Sequence, residues 1–437
     1  MVFDKLFAWR KKKKIIPDIP FGRYSDNNKI INKVSRWTEG DELYKQQKYQ
    51  ESLDAFFEYL RDEEEQNIVY ERNEKEGRFH FYQGSKIVRG EFNAERLQAQ
   101  VTLARMPQPS VAVMRRLLEM NFNLYYSRYA LDEDRLCMRF DSEMQNANPN
   151  KLYYGLKELA TKADKQDDLL VEEFVLLQPL DTEHIISITD AEKEVKYSFL
   201  QKWIKETLDY INSVDAEKFS GGIAYLLLAL SFRIDYLVTP EGKLLHDLEK
   251  IVDIYYRKDE KPITDKNGGM IEGFKKMLER SQDQVFPFLF RSKHVFSIVS
   301  PQNHKAVSDA ITSAAQNMVW YRDNNHTFMA NKVLEYGFSF CQYSYSLPKP
   351  LSDLFRLYMH INYGDYFTAL GFSQVLYDPL LNRFDEEEIE EQIVAIIESW
   401  KKKYLKLQFT IKNLRYNNLV SFNNTYTTEI GNMNFDA

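Results

Sequence analysis

The spacing of apolar residues changes along the chain, and each change predicts a different kind of element. From Arg36, the text RWTEGDELYKQQKYQESLDAFFEYLRDEEE sets its apolar positions three and four apart, which predicts two amphipathic helices. Residues 67–106 alternate instead: GRFHFYQGSKIVRGEFN turns at Gln83-Gly84-Ser85, and ERLQAQVTLARM puts Leu97, Ala99, Val101 and Leu103 on one face of a strand. Pro107 and Pro109 end that run, and Ser110 stands where it can cap a helix over SVAVMRRLLEMNF. LYYSRYALDEDRLCMRFDSEM reads as a hairpin turning at Asp132-Glu133-Asp134, and NPNKLYYGLKELATKADKQDDLLVEEF as a long helix with Pro149 near its start. The predicted order is three strands, a helix, two or three strands and a long helix.

Beyond Pro179 the helical period dominates, over about 195–213, 221–238, 242–257, 271–290, 303–323, 327–345, 350–370 and 385–407. Breaks are expected at Asp190, at DKNGG (265–269) and at SLPKP (346–350). Elements of this length joined by short loops predict a helical bundle or irregular solenoid. The end, LQFTIKNLRYNNLVSFNNTYTTEIGNMNFDA, alternates around Asn-Asn pairs and is expected as a short hairpin or a loose polar tail. The fold class is therefore α+β, in five parts: a basic tail (1–34), a helix hairpin (35–66), an α/β domain (67–178), a helical domain (179–407) and the terminal hairpin or tail (408–437).

Two of these parts resemble known families. The first resembles a single tetratricopeptide repeat, with Gly40 where the helices approach, Leu43 and Tyr44, Tyr49 at the turn, Ser52 in the small-residue slot, and Phe56 and Tyr59 closing the second helix. A lone unit cannot bury its own apolar face, so this likeness implies structural capping against the rest of the chain. The second, about 67–174, runs from RRLLEMNFNL into YALDEDRLCMRFDSEM and the KLYYGLKELATKADKQDDLL helix. It resembles the α/β sandwich of type III secretion chaperones and YbjN-like proteins. That resemblance covers about a quarter of the chain. It implies a non-catalytic fold that often dimerises and holds other polypeptides on apolar grooves, although the large C-terminal addition departs from the free-standing chaperones.

Charge and cysteine usage narrow the picture. The chain is net −7, yet residues 1–34 carry nine Lys/Arg against three acids, leaving −13 on the remainder. An acidic body argues against nucleic acid as a partner, since that needs a broad basic surface. Cys137 and Cys341, far apart, support neither a disulfide framework nor a zinc site, so a reducing cytoplasm is expected. MVFDKLFAWRKKKK has its apolar residues before its lysines, the reverse of a secretory signal. Val2, Phe3, Leu6, Phe7 and Trp9 followed by Lys11 to Lys14 allow residues 1–14 a weak contact with an anionic membrane surface. The longest apolar stretch, IAYLLLALSF (223–232), falls short of the roughly 20 residues that span a bilayer.

The chain holds no phosphate-binding loop, dinucleotide fingerprint, nucleophile elbow or HExxH motif, so no catalytic residue, cofactor or metal is assigned. His304, His326, Glu335, His360 and Asp365 fall in neighbouring helices, but a cap, a helix end and a half-buried imidazole explain the three histidines. In FSGGIAYL, Ser220 is expected as an N-cap. The densest stretch is WYRDNNHTFMANKVLEYGFSFCQYSY, from Trp320 to Tyr345, which reads mainly as the core of a helix hairpin. Tyr336, Phe340, Tyr343 and Tyr345 exceed what one seam needs, so with His326 and Glu335 they form the candidate groove for a partner or ligand. The function expected is a non-enzymatic cytoplasmic interaction module, scaffold or chaperone-like adaptor that binds another protein or a second copy. The alternative is an enzyme or small-ligand receptor with its site in the aromatic-rich helical domain.

Overall fold

The computed structural model describes residues 15–24, 29, 31–181 and 184–435, and the protein is α+β. Residues 1–14, the candidate membrane contact, lie outside the described residues. Helices α1 (Ile31–Lys45) and α2 (Tyr49–Leu60) form the expected hairpin, turning where Gln47 takes a positive φ of 62°. Gly40 lets the two approach, and the Ser52 hydroxyl donates to its carbonyl at 2.6 Å. Strands β1 (Ile68–Arg72), β2 (Glu76–Gln83), β3 (Lys86–Asn93) and β4 (Arg96–Arg105) follow as an antiparallel meander. That is four strands where three were expected, because the Asn73 side chain accepts the N–H groups of Lys75 and Glu76 and turns the chain there.

Helix α3 (Val111–Asn121) is capped by Ser110, whose side chain accepts from the Val113 N–H. After β5 (Arg128–Asp132) and β6 (Arg135–Glu143), α4 (Pro149–Glu173) starts on an Asn148 cap with Pro149 at its first turn. The main strand order is β1-β2-β3-β4-β6-β5, and α4 crosses one face of the sheet. The strand residues facing that helix, among them Phe79, Phe81, Val88, Leu97, Val101 and Phe140, pack with Leu152, Leu156 and Leu159 as one core. The other face is open: Arg78, Arg89, Glu91, Arg96, Gln98 and Arg128 are all exposed.

The remainder is mainly helical: α5 (Asp190–Asn212), α6 (Ser220–Arg233), α7 (Gly242–Tyr256), α8 (Ile263–Leu278), α9 (Gln282–Val285), α10 (His304–Asp323), α11 (Thr327–Ser344), α12 (Lys349–Asn362), α13 (Gly364–Ala369), α14 (Glu386–Trp400) and α15 (Leu419–Asn432). A π-helical turn, Ile234–Val238, prolongs α6, so Ser220–Val238 has the length and hydropathy to cross a bilayer. It lies almost wholly inside the fold, which makes it the central helix of this half.

Several expectations are corrected here. The DKNGG segment is no break but part of α8: Asn267 is buried, donating to the Ser220 carbonyl, and Gly269 and Gly273 let Ile254 and Ile251 of α7 come close. Ser220 is the first residue of α6 rather than its cap, a position Phe219 occupies without a side-chain bond. Residues 408–437 are neither hairpin nor loose tail. Helix α15 packs on α10 and α11 and buries Val420, Phe422, Tyr426 and Ile430, so it belongs to the helical core. Its Asn423 lies inside the helix, donating to the Asn331 side chain and exchanging hydrogen bonds with Asn362.

Residues 15–24 are not a free tail. They run as a strap over the helical half, with Ile15 and Ser373 bonded to each other and the Gly22 N–H donating to the Tyr236 carbonyl. Ile19 is buried, Phe21 packs among Tyr236, Phe367 and Phe372, and Arg23 reaches Asp235 at 2.9 Å. Polar contacts join the two halves. The Gln83 side chain bonds to Val295 and Phe296 from the loop before α10, and Lys165 of α4 pairs with Glu249 of α7 at 2.7 Å.

Candidate functional site

The six residues that stood out in the sequence sit on or beside α11, but they do not share a groove. Tyr336, Phe340 and Tyr343 fall at spacings of four and three, and they close over Phe232 of α6 with ring centroids at 6.1, 6.3 and 4.5 Å. Tyr345 packs edge-on against Phe340, and the Tyr336 hydroxyl lies 3.4 Å from that of Tyr256. These four are therefore a half-buried seam between α6, α7 and α11. His326, at the other end of α11, stacks on Trp320 and meets Phe219 edge-on.

Glu335 points away from the seam into the interior. Its carboxylate accepts from Arg233 at 2.8 Å, from Lys332 at 2.8 Å and from the Tyr363 hydroxyl. The Arg233 guanidinium lies 4.5 Å from the Tyr363 ring and 5.5 Å from that of Trp203. Burial alone would raise the Glu335 carboxyl, but the charges of Arg233 and Lys332 outweigh it and hold it below the usual carboxylate range. Burial, with Arg233 beside it, pushes the Lys332 ammonium down to about 8. The cluster is a paired ionic core.

The other reactive side chains in this region are similarly engaged. Burial pushes the Cys341 thiol up to about 12, which removes its nucleophilic form at neutral pH. His360 stacks on Phe367, its Nε2 is 3.1 Å from the Gln374 carbonyl, and burial pushes it down to about 4. Among the described residues, no three His, Cys, Asp or Glu side chains come together as a metal site. A cavity of roughly 120 Å³ lies under the strap, with Tyr343 and Tyr345 in its wall beside Arg23, Asp235 and His294. Of the six candidates only these two line it.

No protein-family model matches the chain, and no curated protein matches it significantly.

Two surfaces of the α/β half carry features the sequence reading passed over. Helix α3 is apolar on both sides. Val113, Leu117 and Met120 face the core, while Val111 (81% exposed), Leu118 (64%) and Phe122 (91%) recur at intervals of seven and four on the opposite side. Tyr125 (92% exposed) extends this stripe, because Glu158 of α4 accepts the N–H groups of Tyr125, Tyr126 and Ser127 and fixes their loop. The adjacent edge strand β5 is blunted, since the Tyr129 N–H is already taken by the Asn121 side chain at 2.8 Å. The stripe was visible in VAVMRRLLEMNF, which has more apolar residues than one face can use.

The second surface is the open face of the sheet. Between residues 68 and 143, ten of the twelve basic residues are arginine, against twelve of forty-six in the rest of the chain. Arg78, Arg89, Arg96, Arg128 and Arg139 line a hollow of about 740 Å³ there, with Glu71, Glu91 and Asp141 as its carboxylates. That bias could have been counted from the sequence; the placement on one face needed the strand register.

Proposed function

We propose that the chain is a non-enzymatic protein-interaction protein, a chaperone-like adaptor or scaffold of a reducing cytoplasm, and that the outer face of α3 is where it meets another polypeptide. The observation that carries this reading is the ordered stripe of Val111, Leu118, Phe122 and Tyr125 held open to solvent. Helices of folded proteins normally spend one apolar face on the core, and a second face of this size marks an interaction site. Covering it stabilises a complex by about 1.5–3 kcal/mol for each large side chain buried. The likeness of the 67–174 region to type III secretion chaperones and YbjN-like proteins, and of α1–α2 to a tetratricopeptide unit, belongs to the same proposal. Engagement of Glu335, Cys341 and His360 in interior contacts supports a non-catalytic reading of the helical half.

The test is the double substitution Leu118→Asp with Phe122→Asp. Wild-type chain purified from its native cells is expected to carry a stoichiometric companion, or a second copy, by mass-resolved light scattering. The variant should lose that companion while its unfolding midpoint stays put. A wild-type chain that is strictly monomeric and alone, or a variant that keeps every companion, overturns the reading.

A further inference from the structure

We infer that the loop after α14, residues 401–412, is a contact surface for a membrane carrying anionic lipids. It is a different surface from the outer face of α3, and it does not depend on that reading. The segment KKKYLKLQFTIK holds five lysines and no acid, on a chain that is net −7. Lys401 pairs with Glu398 at 2.8 Å, and the Lys403 ammonium donates to the Lys29 carbonyl. Lys402, Lys406 and Lys412 are exposed and, among the described residues, make neither an ion pair nor a side-chain hydrogen bond.

The acids around the loop are engaged elsewhere. Glu429 is buried and accepts from the Thr410 N–H and the Asn413 side chain, and Asp353 accepts from the Trp400 indole and pairs with Lys349. On the Lys403 flank, Glu58 and Glu63 are both held by Lys33. The acidic run that opens α14 ends at Glu391, about 15 Å back along the helix from Lys401. The C-terminal end of α14 itself offers about half a negative charge, which a single lysine answers.

Packing fixes how the loop is presented. Tyr404 and Leu407 are buried, with the Tyr404 N–H donating to the Trp400 carbonyl and the Leu407 N–H to that of Tyr404. Leu405 and Lys406 between them are turned outward, and Leu405 is 83% exposed. Ile397, Leu405, Leu407 and Phe409 line a hollow of about 510 Å³, and Lys401 and Lys412 line it with them. Apolar walls beside ammonium groups match an amphiphile: acyl carbons meet the leucine, and anionic headgroups meet the lysines. The choice of cation has the same direction. A lysine ammonium is a hydrated point charge suited to the diffuse field of a charged membrane, whereas paired recognition of a peptide carboxylate uses arginine. Single-stranded nucleic acid needs open rings on which its bases stack; Tyr404 is buried and Phe409 half-buried.

The experiment is co-sedimentation of the full chain with vesicles of about three parts phosphatidylserine to seven of phosphatidylcholine, against vesicles of phosphatidylcholine alone. Saturable binding to the anionic vesicles only is expected, lost at about 0.5 M salt. Lys402→Gln with Lys406→Gln should weaken it roughly twenty-five-fold, about fivefold for each lysine. Leu405→Ser should weaken it roughly tenfold, and both variants should keep the parent circular dichroism spectrum. The glutamine pair should have the same effect in a chain also carrying Lys11→Gln, Lys12→Gln, Lys13→Gln and Lys14→Gln, which separates this loop from residues 1–14. No binding to the anionic vesicles, undiminished binding by the glutamine pair in either background, or binding of a labelled Glu-Ser peptide in place of vesicles overturns the proposal.

Discussion

Replacing Glu335 by glutamine tests whether the most chemically conspicuous residue of the aromatic stretch is structural. The substitution keeps the shape and removes the charge. Arg233 and Glu335 both have side chains only 3% exposed, and Lys332 shares the same carboxylate. With the anion gone, two cations remain in the interior beside Trp203 and Tyr363, and breaking a buried pair from one side costs about 3–5 kcal/mol. Glutamine can still accept one hydrogen bond, so about 3 kcal/mol is expected. Urea unfolding followed by far-ultraviolet circular dichroism and by tryptophan fluorescence would show the midpoint fall. Removing both ends, as Arg233→Met with Glu335→Leu, should cost less than the sum of the two single changes, because only Lys332 is then left without its anion rather than two cations. A Glu335→Gln protein within about 1 kcal/mol of the parent, or additive single costs, would refute the account of this cluster.

Three further outcomes follow from the packing. Burial, with Asp167 beside it, pushes the Asp168 carboxyl up to about 7, so the folded state takes up a proton as pH falls from 7 toward the unfolded value near 4, and stability rises over that window. Asp168→Asn should therefore stabilise the fold at pH 8 and lose that advantage by pH 4, read from melting curves at the two pH values. Ending the chain after Trp400 removes α15 and strips cover from α10 and α11, so the truncated protein should lose the cooperative unfolding of its helical half; an unaltered transition would mean that α15 is dispensable. Arg23→Ala leaves Asp235 and Glu241 buried without their cation, costing about 2 kcal/mol or more, and should expose residues 15–24 to limited proteolysis.

What could be read from the sequence was local. The alternation in GRFHFYQ, the Ser110 cap, Pro149 in a first turn and the Gly84 hairpin depend on neighbours a few residues away, and the chain adopts them as expected. Where the reading failed, a distant partner decided. The glycines of DKNGG read as a break, yet the segment is helical with Gly269 where α7 comes close, and the Asn-rich end becomes helical because Asn331 and Asn362 receive Asn423. The surplus tyrosines of α11 were counted against one seam, while the fold gives them two further helices to pack on, α6 and α7. The exposed stripe of α3 and the arginine face went unweighed because both lie within elements whose type was plain.

The central claim is that the outer face of α3 contacts another polypeptide. Its most direct test is a photo-crosslinking amino acid placed at Phe122 in cells making the full chain, with the same group at the exposed Glu387 of α14 as the comparison. The account predicts a discrete covalent adduct, with a partner or a second copy, from position 122 and none from position 387. No adduct at 122, or the same adducts from both positions, would contradict it.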